Sequence, residues 1–372
     1  MSRKRPSLVT PGFAPRNAAP SSVSPVSRIK FVEAKTPDMA AVSRLLEACA
    51  AVNQWSNFGP LYDRLARDYA AHMELPADLT LTPCANAGIG LEMLARAQAA
   101  DAGKDKLRWV GSAFSFKNLG RGYFADMQLL DCDKQGLLNL MALQALPQDS
   151  YDGIVVTNPF GLCTNFAAYI RFAQQSGKKL LIDNAAGVGP QIPDWPWQVF
   201  SLHHTKPYGM GEGGLVLSPV EATNFLRLLI NYDRVPQKPG YWLNNGKISD
   251  ISCAFLLDRL HRVDDWANAY LEQRERVVAL FAGFGLKPLL PITQAPPTNS
   301  LPVLMGGPLD PVEVLNTPKI DITRQYQPLA PFPNVQAIYR QIINFPTHLG
   351  LAGVCDTVIA EEIAFLQAQA AR

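Results

Sequence analysis

Short apolar runs alternate with helix-like stretches along most of the chain. Helical spacing of apolar residues predicts helices at residues 39–49, 61–72, 89–99, 166–175 and 221–230. Seven short apolar runs fit buried strands, at residues 79–81, 107–110, 127–130, 154–157, 180–182, 199–202 and 215–217. This alternation predicts an α/β protein with a mostly parallel, seven-stranded sheet covered by helices on both faces.

The last two apolar runs break the alternation. Only a dozen residues, with several Gly and one Pro, separate Leu202 from Leu215. A parallel connection needs a crossover of about a dozen residues or more, usually a helix, and no helical pattern is present here. The final strand is therefore predicted to be antiparallel.

The two ends of the chain differ from this pattern. Residues 1–27 are rich in Pro, Ser and Arg without an apolar period, which predicts a disordered N-terminal extension. Residues 28–248 are predicted to form a large α/β domain. A long helical pattern at 249–281 links it to a smaller C-terminal α/β domain, residues 249–372.

Composition and charge limit the classes of partner and the cellular location that are expected. A net charge of +2, from 34 basic and 32 acidic residues, gives no reason to expect a nucleic-acid or membrane partner. No apolar run approaches the roughly 18 residues of a membrane helix, and the N-terminus lacks a secretory apolar segment. With six widely spaced cysteines, these features predict a cytoplasmic protein.

A carboxylate and a lysine follow two successive predicted strands. Asp183 ends the run at 180–182, and Lys206 lies 23 residues further on, just past the run at 199–202. Ligands of doubly wound sheets bind at the carboxyl ends of strands. Pyridoxal 5'-phosphate needs a carboxylate against its pyridinium nitrogen and a lysine that forms a Schiff base with its aldehyde. The pair therefore predicts a pyridoxal phosphate site, although each residue alone would also fit a solvated loop.

A candidate phosphate site precedes this pair. The segment Cys84-Ala85-Asn86-Ala87-Gly88-Ile89-Gly90-Leu91 follows a predicted strand and opens a predicted helix. Backbone N–H groups at a helix N-terminus bind anions, which makes Ala87 and Gly88 candidate phosphate contacts. The hydroxyl of Ser201, five residues before Lys206, is a further candidate.

Two other motifs are set aside. Residues 209–214 satisfy G-x-G-x-x-G, but a strand follows them where a dinucleotide site needs a helix, so these glycines are interpreted as a tight turn. Adjacent His203 and His204 would point to opposite faces of a strand. With five scattered histidines and no Cys/His cluster, the sequence predicts no metal site.

Five segments, in order, resemble the DegT/DnrJ/EryC1/StrS family of pyridoxal phosphate-dependent sugar aminotransferases. The most specific is residues 200–214, which resembles F-S-x-H-x-T-K-x-x-x-x-G-E-G-G. The others are Asn57-Phe58-Gly59-Pro60, residues 84–91, Phe114-Ser115-Phe116, and Asn245-Gly246-Lys247-Ile248-Ser249-Asp250.

The resemblance implies a fold, a reaction and several contacts. The fold would be type I, as in aspartate aminotransferase, and the reaction would move an amino group from an amino acid, L-glutamate in most of the family, to a keto-sugar on a nucleotide. Phe116 would stack on the cofactor ring. Asn245 would reach the phosphate of the neighbouring subunit, which implies a homodimer with shared sites. Asn57 and Tyr326, the latter in a Y-x-P-L segment, are candidate substrate contacts.

Two departures from the family pattern keep other functions open. Ala186 stands where the family has a His or Gln that contacts the cofactor's phenolic oxygen, and Gly88 replaces the Thr of the phosphate turn. A catalytically idle relative with a regulatory role is therefore one alternative. A sugar dehydratase or eliminase is another. Such family members replace the lysine by His, and His204 lies close to Lys206 in the sequence.

Overall fold

The structure is a computed structural model that describes residues 28–232, 239–310, 312 and 314–371. The predicted N-terminal extension, residues 1–27, lies outside the described residues. No helix in the described ranges is long and apolar enough to cross a membrane.

Ten α-helices occur in the described part of the chain. They are α1 (Met39–Val52), α2 (Pro60–His72), α3 (Ala87–Asp101), α4 (Leu140–Gln144), α5 (Ala167–Ser176), α6 (Thr223–Ile230), α7 (Asp250–His261), α8 (Val263–Gly283), α9 (Pro333–Gln341) and α10 (Asp356–Ala370).

The larger sheet contains the seven strands that the apolar runs predicted. They are β1 (Leu79–Cys84), β2 (Trp109–Ser112), β3 (Gln128–Leu130), β4 (Gly153–Thr157), β5 (Lys179–Asp183), β6 (Gln198–Ser201) and β7 (Gly214–Pro219), in the spatial order β1-β7-β6-β5-β4-β2-β3. Strands β2 to β6 pair in parallel. Strand β7 runs antiparallel to both β6 and β1, so the prediction for the final strand is confirmed.

Alternation along the strands divides the core into two layers. Val199 and Val216 pack with α3 and α6 on one face of the sheet. Phe200, Leu215 and Leu217 pack on the other face with α1, α2 and α7. Because successive side chains of a strand point to opposite faces, a strand buried on both faces must be apolar throughout. This explains why these strands appear in the sequence as continuous apolar runs.

A smaller antiparallel sheet follows in the C-terminal part of the chain. Its strands are β8 (Lys287–Pro288), β9 (Ser300–Leu304), β10 (Val314–Leu315), β11 (Ile322–Thr323) and β12 (Ile342–Pro346), in the spatial order β10-β11-β12-β9-β8. Helices α8 and α10 cover it with a separate apolar cluster. The seven-stranded α/β sheet plus this smaller unit agrees with the predicted fold class, while the boundary at residue 249 stays a prediction.

The single long helix predicted at 249–281 is wrong, because two helices meet at Arg262. The Trp266 indole donates to the Arg259 carbonyl at 3.0 Å, so a side chain takes an oxygen that a continuous helix would give to the backbone. Arg262 has non-helical dihedrals, φ −106° and ψ 23°. Both helices keep apolar faces across the break, so periodicity alone does not reveal it.

Candidate functional site

The predicted catalytic pair lies at the carboxyl edge of the large sheet. Strand β5 ends on Asp183, β6 ends on Ser201, and the following turn carries Lys206. Because β5 and β6 are parallel, both ends reach the same edge. The charges of Asp183 and Lys206 act on each other, each opposing the effect of burial on the other's pKa. The structure thus brings together the two groups that the sequence predicts as a pair.

Asp183 is a buried carboxyl with few partners. Its side chain is 4% exposed and accepts one hydrogen bond from the described residues, the Ala185 N–H at 3.3 Å. Burial raises the pKa of Asp183 to about 6, against the lowering effects of that N–H and of Lys206. Such a carboxylate suits a cationic ring N–H, which would supply the hydrogen bond and the opposite charge that it lacks.

Lys206 projects from a tight turn between β6 and β7. Its N–H donates to the His203 carbonyl at 2.8 Å, and its own carbonyl accepts from the Gly209 N–H at 2.9 Å. A Cβ at Gly209 would lie 1.9 Å from the His203 oxygen, so only glycine fits there. Burial lowers the pKa of Lys206, which favours the neutral, nucleophilic amine.

A possible anion site adjoins the pair. Helix α3 begins at Ala87 and is capped by Asn86, whose side chain accepts from the Ile89 N–H at 3.0 Å. The N–H groups of Ala87 and Gly88 lie in the first turn, where a helix offers no backbone acceptor. Ser201 pairs with Gly214, and a Cβ at Gly214 would lie 2.7 Å from the Ala87 nitrogen. Gly214 thus lets the helix N-terminus approach Ser201 closely, as a bound phosphate requires.

Aromatic residues line the same edge. Phe116 follows β2 and is 59% exposed, whereas Phe114 is buried against Tyr326, with ring centroids 5.5 Å apart. Tyr326 stacks on Phe160 at 4.8 Å and accepts a 3.5 Å hydrogen bond from the Phe160 N–H. Burial, and secondarily the charge of Asp183, raise the pKa of Tyr326. Phe116 therefore presents an open ring, while Tyr326 belongs to the wall beside Asp183.

The loop after β4 closes over Ala186. A Cβ at Gly161 would lie 2.5 Å from the Ala186 oxygen and 3.0 Å from its Cβ. Gly161 has a φ of +76°, and the preceding Phe160 has a φ of +58°. The backbone of Gly161 thus lies so close to Ala186 that a side chain at position 161 would collide with it, while Ala186 itself is half-buried.

The remaining predicted contacts, Asn245 and Asn57, lie in exposed loops. Asn245 is exposed in the loop before α7, and its neighbour Gly246 accepts a 2.8 Å hydrogen bond from the Ala85 N–H. Asn57 is exposed before α2 and donates to the Tyr232 hydroxyl at 3.2 Å. Neither side chain forms a hydrogen bond with Asp183 or Lys206 within the described part of the chain.

The predicted orientation of the two histidines is wrong. Their ring centroids are 4.2 Å apart, and His204 is exposed. Strand β6 ends at Ser201, so both histidines lie in the turn, where the alternation of a strand no longer applies.

Sequence reasoning missed Lys35, which contacts the turn at several positions. Lys35 lies before α1 in a segment without apolar periodicity, and its ammonium donates to carbonyl oxygens of the Lys206 turn. A lone lysine that binds backbone atoms distant in sequence leaves no pattern of spacing or composition, so no signal in the sequence marks it.

Comparison with known proteins bears on the family and the fold. The model of the DegT/DnrJ/EryC1/StrS aminotransferase family matches residues 38–303. Protein Rv3402c of Mycobacterium tuberculosis is 26% identical over 273 residues, which are 68% of this chain and 65% of that protein. The chain thus spans just under two thirds of the length of the curated relatives it matches.

Solved structures share the fold at low sequence identity. A putative pyridoxal phosphate-dependent aminotransferase from Bacillus cereus has a TM-score of 0.74 and 18% identity, over 92% of this chain and all of that one. DesI, solved in the presence of its TDP-sugar product, has a TM-score of 0.73 and 18% identity, over 94% of each chain. These likenesses confirm the fold type I prediction.

The family match extends over more than two thirds of the chain and covers the segments that carry the resemblance, from Asn57 to Asp250. Enzymes of this family depend on pyridoxal phosphate, so the predicted cofactor agrees with the match. The chain belongs to the DegT/DnrJ/EryC1/StrS aminotransferase family.

Proposed function

We propose that this protein is a pyridoxal phosphate-dependent aminotransferase that moves an amino group from an amino acid, with L-glutamate as the donor, to a keto-sugar carried on a nucleotide. One observation carries the proposal. A buried carboxyl and an amine of lowered pKa, Asp183 and Lys206, act on each other at one sheet edge, next to the N-terminus of α3.

Each residue at this edge has a distinct task. Asp183 would hold a proton on the ring nitrogen, and Lys206 Nζ would bind the aldehyde carbon and later carry the proton that leaves the donor's α-carbon. The N–H groups of Ala87 and Gly88, with the Ser201 hydroxyl, would bind the phosphate. When bound, pyridoxal phosphate supplies a ring that accepts the electrons of the broken bond.

The acceptor is the finer part of the proposal. It is supported by the shared fold with DesI, which was solved with a TDP-sugar product. Asn57 is exposed next to Tyr232, which suits a substrate contact on the open side of the site. Tyr326 would act indirectly, by supporting the ring of Phe160 beside Asp183.

A homodimer would complete the site. Phe116 is 59% exposed at the sheet edge, and Asn245 is exposed on a loop bonded to the start of the phosphate segment. A second subunit that covers these surfaces would bring its Asn245 to the phosphate and exclude water from the reacting atoms.

Covalent attachment of the cofactor gives the first test. Addition of pyridoxal phosphate should produce the visible band of a lysine-bound cofactor, and borohydride reduction should mark the peptide that contains Lys206. Lys206→Ala should lose both signals. Lys179→Ala is the matched control, because Lys179 lies at the opposite end of β5. A band that survives Lys206→Ala, or no band in the wild type, would overturn the assignment.

Turnover gives the second test. L-glutamate should remove the visible band, and a nucleotide keto-sugar should restore it while 2-oxoglutarate accumulates. If the band forms but no amino acid removes it, the catalytically idle alternative suggested by Ala186 replaces the proposal. The exposed ring of His204 gives the eliminase alternative no support, because Lys206 keeps the position facing Asp183.

A further inference from the structure

The ammonium of Lys35 contacts three backbone carbonyls of the turn that carries Lys206. Lys35 Nζ lies 2.7 Å from the His204 oxygen and 2.8 Å from the Gly209 oxygen, and it also donates to the Lys206 oxygen. A lysine ammonium has three N–H donors and no acceptor. All three donors therefore point at one short loop. The acceptors of residues 204 and 209 lie on either side of the Lys206 oxygen in the sequence.

Other side chains bind the oxygens between these contacts. Arg259 Nε donates to the Pro207 oxygen at 2.9 Å, and the Tyr69 hydroxyl donates to the Tyr208 oxygen at 3.2 Å. Four consecutive carbonyls, those of residues 206–209, thus accept hydrogen bonds from side chains outside the turn. With the His204 oxygen, five carbonyls of the turn are held by side chains from outside it.

Lys35 is itself anchored by the segment on its N-terminal side. Glu33 forms a 2.7 Å ion pair with Arg259, both side chains less than a tenth exposed, and accepts from the Tyr270 hydroxyl at 2.9 Å. His348 Nε2 bonds the Lys30 carbonyl at 2.8 Å. Residues 29–35 therefore form a strap between the C-terminal sheet unit and the Lys206 turn, and Lys35 is the end of the strap that touches the turn.

We propose that Lys35 is a positioning residue, whose amino group fixes the turn through its hydrogen bonds and thereby aims Lys206 Nζ at Asp183. The inference rests on the proposed function of Lys206. Three carbonyl oxygens converge on the Lys35 amino group, and without the donors between them their dipoles would repel. These contacts add to the backbone hydrogen bonds within the turn, and together they fix its geometry.

The segment matched by the family model begins at residue 38 and therefore does not include Lys35. The strap thus adds a contact to the Lys206 turn from outside the matched region. Lys35→Met keeps the length and the apolar stem of the side chain but removes the charge and the donors. Lys30→Met is the matched control, since Lys30 lies in the same strap, is largely exposed and contacts Asp321 at 3.4 Å.

Hydrogen exchange of the cofactor-free protein tests the positioning directly. In Lys35→Met, the amides of residues 204, 206 and 209, each bonded within the turn, should exchange at least about tenfold faster, while the strands of both sheets keep their protection. Lys30→Met should exchange like the wild type. Unchanged protection of the turn in Lys35→Met would overturn the proposal.

Cofactor attachment tests the consequence for Lys206. At saturating pyridoxal phosphate, the fraction trapped on Lys206 by borohydride should fall several-fold in Lys35→Met and stay at the wild-type value in Lys30→Met. A role in overall stability alone would not lower this fraction in folded protein, so an unchanged fraction would overturn the proposal. If Lys35→Met does not fold, hydrogen exchange and cofactor attachment are measured on Lys35→Gln instead. This variant keeps two N–H donors, so both quantities should change in the same direction but less.

The two proposals fail in different ways. If the wild type does not attach the cofactor at Lys206, the proposed function is wrong, and the exchange experiment still decides whether Lys35 fixes the turn. If the wild type attaches the cofactor and Lys35→Met does so equally, only the role of Lys35 is wrong.

Discussion

Asp183 is a residue that is unfavourable for the folded chain and that the proposed function nevertheless needs at the site. Its carboxyl is 4% exposed and accepts one hydrogen bond from the described residues, at 3.3 Å. A buried charge with so few partners costs free energy of folding. In the proposed function, the missing partner would be a cationic ring nitrogen, so the feature that lowers stability in the cofactor-free protein would favour binding of the cofactor.

The effect of Asp183 on stability should depend on pH. Burial raises the pKa of Asp183 from 3.8 to about 6, so the folded state binds a proton more tightly than the unfolded state. The tighter proton binding of the folded state adds to the free energy of unfolding. This gain is fully present below pH 3.8 and is lost as pH rises through about 6. In the cofactor-free protein, Asp183→Asn should therefore raise the free energy of unfolding more at about pH 8 than at about pH 4, by roughly 2 kcal/mol.

Urea unfolding of wild type and Asp183→Asn at both pH values measures this difference, because the change of hydrogen bonding at residue 183 cancels between them. If Asp183→Asn changed the free energy of unfolding equally at both pH values, the pKa of Asp183 would not be raised in the folded protein. The same variant should bind pyridoxal phosphate more weakly than the wild type, so stability and cofactor affinity should move in opposite directions.

Gly161 provides a second prediction at the scale of one residue. Gly161→Ala should lower the free energy of unfolding by about 2 kcal/mol more than Gly177→Ala. Both glycines have positive φ, +76° and +65°, so the backbone strain is matched. Only at Gly161 would the new Cβ meet the Ala186 backbone, at 2.5 Å, whereas nothing lies within 4 Å at Gly177. Equal losses by chemical denaturation would mean that the loop does not press on Ala186.

Single residues also mark the limit of what the sequence predicts. Asp183 and Lys206 could be predicted as a pair because a strand-end acid and a strand-end lysine have a chemical reason to occur together, and the structure places both at one edge of the sheet. Lys35 was not found, because its partners are backbone oxygens some 170 residues away, and any residue type can supply them. The close approach of Gly161 to the Ala186 backbone was likewise not predicted, since it depends on the conformation of a loop.

Among the elements, the strands were predicted best, and their ends least well. Strand β5 runs one residue further than its apolar run on each side, because Lys179 and Asp183 pair in the sheet although they are polar. Helix α3 begins at Ala87, two residues before its apolar spacing starts. The polar and small residues at these ends carry the candidate chemistry, so the site lies where the apolar pattern stops.

The contact between β7 and α3 leads to a prediction about the phosphate. A Cβ in Gly214→Ala would lie 2.5 Å from the Asn86 carbonyl carbon and 2.7 Å from the Ala87 nitrogen, so the start of α3 must shift. Affinity for pyridoxal phosphate should fall about tenfold or more, about 1.4 kcal/mol. Affinity for pyridoxal, which lacks the phosphate, should change much less.

Titration with both compounds, followed by the visible band, separates the two effects. Gly283→Ala is the control, because no atom lies within 4 Å of its added Cβ. Equal losses for pyridoxal and pyridoxal phosphate would mean that the N-terminus of α3 does not bind the phosphate.

At the scale of the whole molecule, the exposed residues around the site bear on whether a second copy of the chain completes it. Asp183, Lys206 and the start of α3 all lie in this chain, while Phe116 at the sheet edge and Asn245 in the loop bonded to Ala85 are exposed. A homodimer in which each Asn245 serves the other subunit would explain both exposures. The sequence suggested this arrangement only through the family resemblance, because no pattern within one chain records which surface a second copy covers.

Mixing two defective variants would test the shared sites. Lys206→Ala cannot attach the cofactor, and Asn245→Asp should repel the phosphate, so each alone should show little visible band at limiting pyridoxal phosphate. In a hybrid dimer, Lys206 of the Asn245→Asp subunit would face the intact Asn245 of the Lys206→Ala subunit, which restores one site of two. After unfolding and refolding of an equal mixture, half of the dimers are hybrids, so about a quarter of the wild-type band should return. Differently tagged subunits would show that hybrids form, and hybrids without any band would mean that each subunit binds the phosphate on its own.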